Sequence, residues 1–383
     1  MAALLYRLGR FSFHRRGRVV AVWVLLLGVI GGAALAFRGP TSSEFTMPGT
    51  ESQQALTTLK RDFPQAGGAT GTVVIASTGG QKLTATQVRP IVAQAAAVPG
   101  VVAATDPFQA RAISADGRHA LVQVQFAAPA DAATEDAVHS IRAKAAGITG
   151  ADVALTGTTA VGIDVSEKLA DALPIYLLLV VGLSILLLML VFRSVLVPIK
   201  AAAGFLLTVG GTFGITVAVF QEGHLAGLIG VDTPGPLISF LPVLLIGILF
   251  GLAMDYEVFL VSRMREDFVH GDTARQATIN GLGHNARVVT AAALIMISVF
   301  SGFVLAPDPI IKSIGFALAV GVFIDAFIVR MTLVPAVMSL LGRAAWWLPR
   351  PLDRALPDLD IEGESLPDAP VPERSGATPP VRV

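Results

Sequence analysis

Residues 237–267 read LISFLPVLLIGILFGLAMDYEVFLVSRMRED. From Leu237 to Met254 no residue is charged. An apolar run of about 18 or more residues without charge is long enough for a helix to cross a bilayer. The run then takes in Asp255, Tyr256 and Glu257 before it reaches Arg263 and Arg265. A carboxylate inside the hydrocarbon costs about 2.5–3.5 kcal/mol on insertion scales. Asp has no long stem with which to reach the interface. With Ser262 as the expected cytoplasmic end, Asp255 sits roughly 10 Å deep, at about 1.5 Å per residue. Such a group is protonated part of the time or has a buried partner, and a proton relay needs both states. The plainer alternative is a structural carboxylate lining a wet cleft.

The rest of the chain fits a membrane protein. Of 383 residues, 53% are apolar and only 15% charged, against about 25% charged in soluble domains. Six segments read as spans: 19–37, 174–192, 199–220, 237–262, 287–305 and 314–341. Pro174 is expected to open the second, since a first-turn Pro is tolerated. Arg7, Arg10, Arg15, Arg16 and Arg18 precede the first span. Arg193 and Lys200 bracket the turn after the second, and Arg263, Arg265, Arg275 and Arg287 lie between the fourth and fifth. Arg343, Arg350 and Arg354 follow the sixth. All fall on one side, so both termini are expected in the cytoplasm.

That leaves 38–173 outside, with 10 basic and 12 acidic residues. Helices are expected at 50–62, at 84–97 behind a Thr84 cap, and at 134–146. Strands are expected at 71–77, 101–104, 110–114, 119–126 and 152–156, with a turn at Asp116-Gly117. The order is βαββαβ, the split arrangement of ferredoxin-like domains. The expected organisation is therefore a basic N-terminus (1–18), a first span (19–37), an outer domain (38–173), spans two to six (174–341) and a cytoplasmic tail (342–383). That tail is Pro-rich and acidic from Pro357, a composition that disfavours a packed core.

Gly247, Gly251 and Asp255 share one helix face at i, i+4 and i+8, and the small pair permits close helix contact. Tyr256 points elsewhere, so pairing of Asp255 with a Tyr256 hydroxyl requires two helices. Asp325 is a second buried acid in the last span. Arg330 stands about 140° round an α-helix from it, so an intrahelical pair is not expected, and snorkelling to the inner leaflet is. Glu257 is a weaker third acid. Thr208, Thr212 and Thr216 form a stripe best read as packing, as do Ser298 and Ser301. Zero Cys excludes disulfides and thiolate sites. A net charge of zero speaks against nucleic acid. No metal or cofactor motif occurs, nor a Walker or hydrolase pattern, so no enzyme activity is expected and energy must come from an ion gradient.

GLAMDYEVFLVSRMRE, with FRSVLVPIKAA before it and RVVTAAALIMISVF, DPIIKSIGFALAVGVFIDAFIVRMTLVPAVM and AAWWLPRPLDRALPDLDIEGE after it, resembles the MMPL family. These are the mycobacterial-type members of the resistance–nodulation–division exporters. The resemblance is strongest over 152–362, and RLGRFSFHRRGRVVAVWVL resembles the family's N-terminus. It implies a proton-driven exporter of lipids or hydrophobic small molecules in the cell membrane, with an external ferredoxin-like porter domain. It also implies that Asp255 and Tyr256 form the proton relay. Family members usually carry two six-helix halves and two Asp-Tyr pairs; this chain has one. The implied repair is a homodimer, or pairing with a full-length relative, in contact through the Gly247 and Gly251 face. The alternative is an accessory protein, or a deleted remnant, that does not transport.

Overall fold

The computed structural model describes residues 15–36, 50–63, 68–127, 132–231 and 234–356. It is mostly helical. Helix α1 (Arg16–Ala36) and α2 (Glu51–Asp62) come first. A mixed segment follows: β1 (Thr70–Ser77), α3 (Ala85–Ala96), β2 (Val101–Ala104), β3 (His119–Phe126), α4 (Ala132–Ala145) and β4 (Ala151–Thr156). The long helices are α5 (Thr158–Phe192), α6 (Leu196–Phe220), α7 (Leu241–Val269), α8 (Ala274–Val304) and α9 (Pro309–Phe323). From α9 the helix runs on through a π-helical segment (Ile324–Leu333) into α10 (Val334–Leu341), and α11 (Arg350–Ala355) is last.

Among the described residues, five helical stretches are long and apolar enough to cross a membrane: Thr158–Phe192, Leu196–Phe220, Leu241–Val269, Arg287–Val304 and Pro309–Trp346. The first expected span falls on α1, which is not among those five. The chain is a multi-pass membrane protein by these helices.

The strands form one antiparallel sheet in the order β2-β3-β1-β4. Val73 pairs with Val122 on one side and Leu155 on the other. Side chains alternate along β3, so Ala120, Val122, Val124 and Phe126 are buried and their neighbours less so. Those residues pack with Val88 and Ile91 of α3 and Val138 and Ile141 of α4. The first turn of α3 is closed by Gln87, whose Oε1 accepts from the Thr84 N–H at 3.0 Å. The strand expected at 110–114 is instead a loop with a single bridge, Ile113 to Ala120, beyond the Val124–Phe126 stretch of β3 that β2 pairs with.

Pro174 does not open a helix. It lies inside α5, which begins at Thr158. Tertiary contacts carry the helix past it. Thr159 and Ala160 are buried against the sheet. Arg142 of α4 donates to both oxygens of Asp164 at 2.6 and 2.9 Å, and His139 lies 2.9 Å from Glu167. The expected boundary at 173/174 thus falls within one continuous helix.

The membrane helices share one core, with Phe205 edge-on to Phe250 at 5.4 Å and Phe220 to Phe316 at 5.6 Å. Trp23 of α1 donates to the Thr332 hydroxyl at 3.2 Å. Residues 342–356, expected as the start of a loose tail, fold back. Ser194 donates to the Ala345 carbonyl at 2.5 Å, and Arg193 meets Asp353 at 2.7 Å. The expected disorder beyond Pro357, and residues 1–14, lie outside the described residues.

Helix α9 approaches α8 at Gly315. A Cβ there would sit 2.5 Å from the Phe303 Cβ and 2.8 Å from the Phe300 carbonyl oxygen. Gly315→Ala should therefore cost about 1–3 kcal/mol, as over-packing does. Thermal unfolding in detergent checks this.

Candidate functional site

Four charged side chains meet inside the helical core. Lys200 comes from the first turns of α6, Glu257 from the middle of α7, and Asp325 and Arg330 from the π-helical segment. Their exposures are 7%, 3%, 6% and 2%. Lys200 Nζ donates to Glu257 Oε1. Arg330 Nη1 reaches Glu257 Oε2 at 3.3 Å, and its Nε donates to Asp325 Oδ2 at 2.7 Å. Its Nη2 donates to the Ala253 carbonyl. Two cations and two anions make the cluster neutral. That matters because an unpaired ion in this setting costs several kcal/mol, while a well-bonded set offsets its own desolvation.

Two expectations about this region are corrected. An Asp325–Arg330 pair was not expected on α-helical geometry, yet the two are bonded. The segment is π-helical, with bonds closing from i to i+5, so residues five apart stand on the same side. Arg330 also does not snorkel; it is among the largest fully buried side chains. Glu257, the weaker candidate, bridges both cations. Lys200 was read only as a marker of the cytoplasmic turn, and its place here was missed. Charge balance held a clue. Two acids buried with one Arg need a second cation, and Lys200 stands nearest in the flanking helix.

The expected relay pair lies beside this cluster rather than in it. Arg330 sits over the Tyr256 ring, 5.4 Å from its centroid. The Tyr256 hydroxyl lies 3.5 Å from the Met296 sulfur. Asp255 is exposed on the outside of the bundle and has no hydrogen-bond partner among the described residues. The face it shares is divided. Gly247 is covered from within the chain, where a Cβ would meet the Tyr176 hydroxyl at 2.8 Å, whereas Gly251 has nothing within 4 Å. Ile248 and Phe259 are exposed on the same side.

The threonine stripe is wholly buried. Each hydroxyl donates one turn back, to the carbonyls of Gly204, Thr208 and Thr212. Ser298 and Ser301 face outward, and Ser298 bonds back to Leu294. One group of metal-ligand type exists among the described residues. The donor atoms of Glu135, His139 and Glu167 lie within 4.8 Å of one another. The three are part-exposed, and their contacts tie α4 to α5.

An apolar helix bundle with buried ion pairs, joined to an antiparallel sheet domain, sits well with the family whose model matches residues 44–356. The chain belongs to the MMPL family. Membrane protein YdfJ of Bacillus subtilis is 50% identical over 252 residues, covering 66% of this chain and 35% of that protein. Putative membrane protein SCO6666 of Streptomyces coelicolor is 37% identical over 377 residues, covering 98% and 51%. Trehalose monomycolate exporter MmpL3 of Mycobacterium tuberculosis is 34% identical over 374 residues, covering 95% and 39%. The chain thus spans about half the length, or less, of these curated relatives.

Lys200→Met leaves the cluster with a net negative charge and should cost about 3–5 kcal/mol, as breaking a buried pair does. Lys200→Met combined with Glu257→Gln leaves the neutral Arg330–Asp325 pair and should recover most of that loss. Unfolding midpoints of the purified variants in detergent check the order.

Proposed function

We propose that this chain works in a proton-driven exporter of lipids or hydrophobic small molecules, seated in the cell membrane with both termini in the cytoplasm. The observation that carries the reading is Asp255. It is a carboxylate in an apolar helix, set on an open face, with the Tyr256 ring next to it held under a buried guanidinium. Exposed carboxylates are expensive against lipid tails. The face therefore suits a second helical unit that supplies a partner for the acid. A second copy of this chain is the simplest such unit, since twofold pairing is the commonest assembly. Each Asp255 would then meet the other copy's Tyr256, and proton binding at that pair would drive the change between inward-open and outward-open states.

The sheet domain is read as a ferredoxin-like porter domain on the outer side. Its strand order β2-β3-β1-β4, all antiparallel, with two helices against the sheet, supports this. It would receive or pass the hydrophobic substrate. The exporter named among the relatives supports the substrate class, and no cofactor enters the scheme.

Two measurements test the reading. In proteoliposomes with an imposed pH gradient, wild type should carry proton flux, and Asp255→Asn should lose it by about 100-fold, within the range for removing an acid–base group. Equal flux in both would sink the relay. The chain has no Cys, so Gly251→Cys introduces a lone thiol on the open face. It should cross-link two copies in membranes. Absence of cross-linking at 248, 251 and 259 alike would rule out the homodimer through this face.

A further inference from the structure

Where α4 meets the start of α5, three side chains of metal-ligand type converge. Glu135 and His139 stand at i and i+4 of α4, so they share one helix face. Glu167 of α5 meets them from the other side. His139 Nε2 lies 2.9 Å from Glu167 Oε1 and 4.0 Å from Glu135 Oε1. The three donor atoms lie within 4.8 Å of one another. Four-coordinate zinc holds imidazole nitrogen and carboxylate oxygen at about 2.0–2.2 Å, which sets neighbouring donors about 3.4 Å apart. The observed separations bracket that spacing. Two donors one turn apart on a helix, with a third from another element, is how helical zinc sites are built.

An ion pair accounts for less of this arrangement. Glu167 alone satisfies the His139 Nε2. Glu135 brings a second negative charge to the same nitrogen, so the group keeps an excess negative charge even with the imidazole protonated. Arg142, the next turn along α4, is taken up by Asp164, to which it donates at 2.6 and 2.9 Å. That two-pronged pair lies one turn from His139 on α4 and one turn from Glu167 on α5. It holds the two helices in register, and the buried Val138 and Ile141 fix α4 on the sheet. The three donors are thus positioned by the fold before any ion arrives. Their part-exposure leaves an entry path and room for a water ligand.

We propose that Glu135, His139 and Glu167 bind one divalent transition-metal ion of the zinc class, with water in the fourth position. The mixed nitrogen and oxygen set suits zinc, and the imidazole disfavours calcium and magnesium. On binding, the imidazole gives up any proton it holds, and its Nε2 and one oxygen of each carboxylate become the ligands. The ion ties α4 to α5 by coordination, where an exposed ion pair contributes little by itself. It stiffens the joint between the sheet and α5. The third donor comes from a different helix, so no spacing in the sequence shows the site. It stands on the sheet side of Pro174 and holds whether or not the chain exports.

The test titrates zinc into the full chain in detergent, purified without a histidine tag and stripped with chelator. Calorimetry on wild type should show saturable uptake of one ion per chain. Glu135→Gln, His139→Ala and Glu167→Gln should each weaken it by at least about tenfold, the low end for disturbing a metal site. His139→Gln can still hydrogen-bond Glu167 and should weaken uptake as much; it stands in should His139→Ala not fold. Glu135 lies 4.0 Å from His139, so Glu135→Gln should leave the metal-free unfolding midpoint unchanged. It should nonetheless lose the rise in midpoint that zinc gives wild type. His119→Ala, at a His–Asp contact of the same exposed kind, should bind as wild type does. No saturable uptake, or wild-type affinity in any of Glu135→Gln, His139→Gln and Glu167→Gln, would overturn the proposal. So would loss of uptake with His119→Ala.

Discussion

Arg330 has its donors engaged on three sides at once, by Asp325, Glu257 and the Ala253 carbonyl. A guanidinium buried in an apolar bundle cannot give up its charge. It must therefore find its acceptors or leave the core, and the arrangement around it follows from that demand. Helix α7 has to turn Glu257 and the Ala253 carbonyl inward together. Helix α6 has to bring Lys200 to the far oxygen of Glu257. The last span has to place an acid on the same side as Arg330. Small residues make room: a Cβ at Gly204 of α6 would lie 2.9 Å from Val329, and Ala201 and Ala253 line the same cleft. Charge pairing, side-chain size and helix rotation at this level are one constraint seen three ways.

The π-helical segment belongs to that constraint. Regular α-helix would set Asp325 and Arg330 well apart in angle, and only one of them could face the cleft. Widening the turn over Ile324–Leu333 brings them together. Such segments are often found at functional sites, because the poorer backbone bonding has to be offset by something else. Here the offset is a set of charge-assisted hydrogen bonds, which are about twice as strong as neutral ones. Trp23 of α1 also reaches this segment through Thr332, so the first helix is tied to the same turn.

What could be read in the sequence follows the range of the physics. Long charge-free runs marked where five of the six expected spans fall, closely for 199–220 and 287–305 and less so where a helix runs on past its apolar stretch, because hydropathy is a local property that a bilayer enforces. Alternation along 119–126 marked β3 for the same reason. Pro174 misled, since a local rule about helix starts was overridden by Arg142 and His139, residues that touch α5 only in the folded chain. Asp255 and Asp325 were visible as acids out of place. Arg330's partner was not, because its pairing depends on a backbone widening that no residue type announces. Lys200 was hidden by its position. A lysine one turn into a span looks like an anchor, and whether its stem turns outward or inward is decided by an acid 57 residues away.

Helix α5 carries a mechanical consequence. Sixteen residues of it stand before Pro174, joined to α4 by the Arg142–Asp164 ion pair and the His139–Glu167 contact, and the apolar remainder lies in the bundle. The upper part is about 24 Å long at 1.5 Å per residue. Proline takes away one rung of the backbone ladder and is where long helices bend. A change of about 10° at that joint swings the far end through roughly 4 Å over an arm of this length. The sheet, clamped to that arm, would travel with it as one body, so a small angle made among the apolar helices reaches the sheet as a stroke about as wide as a hydrocarbon chain.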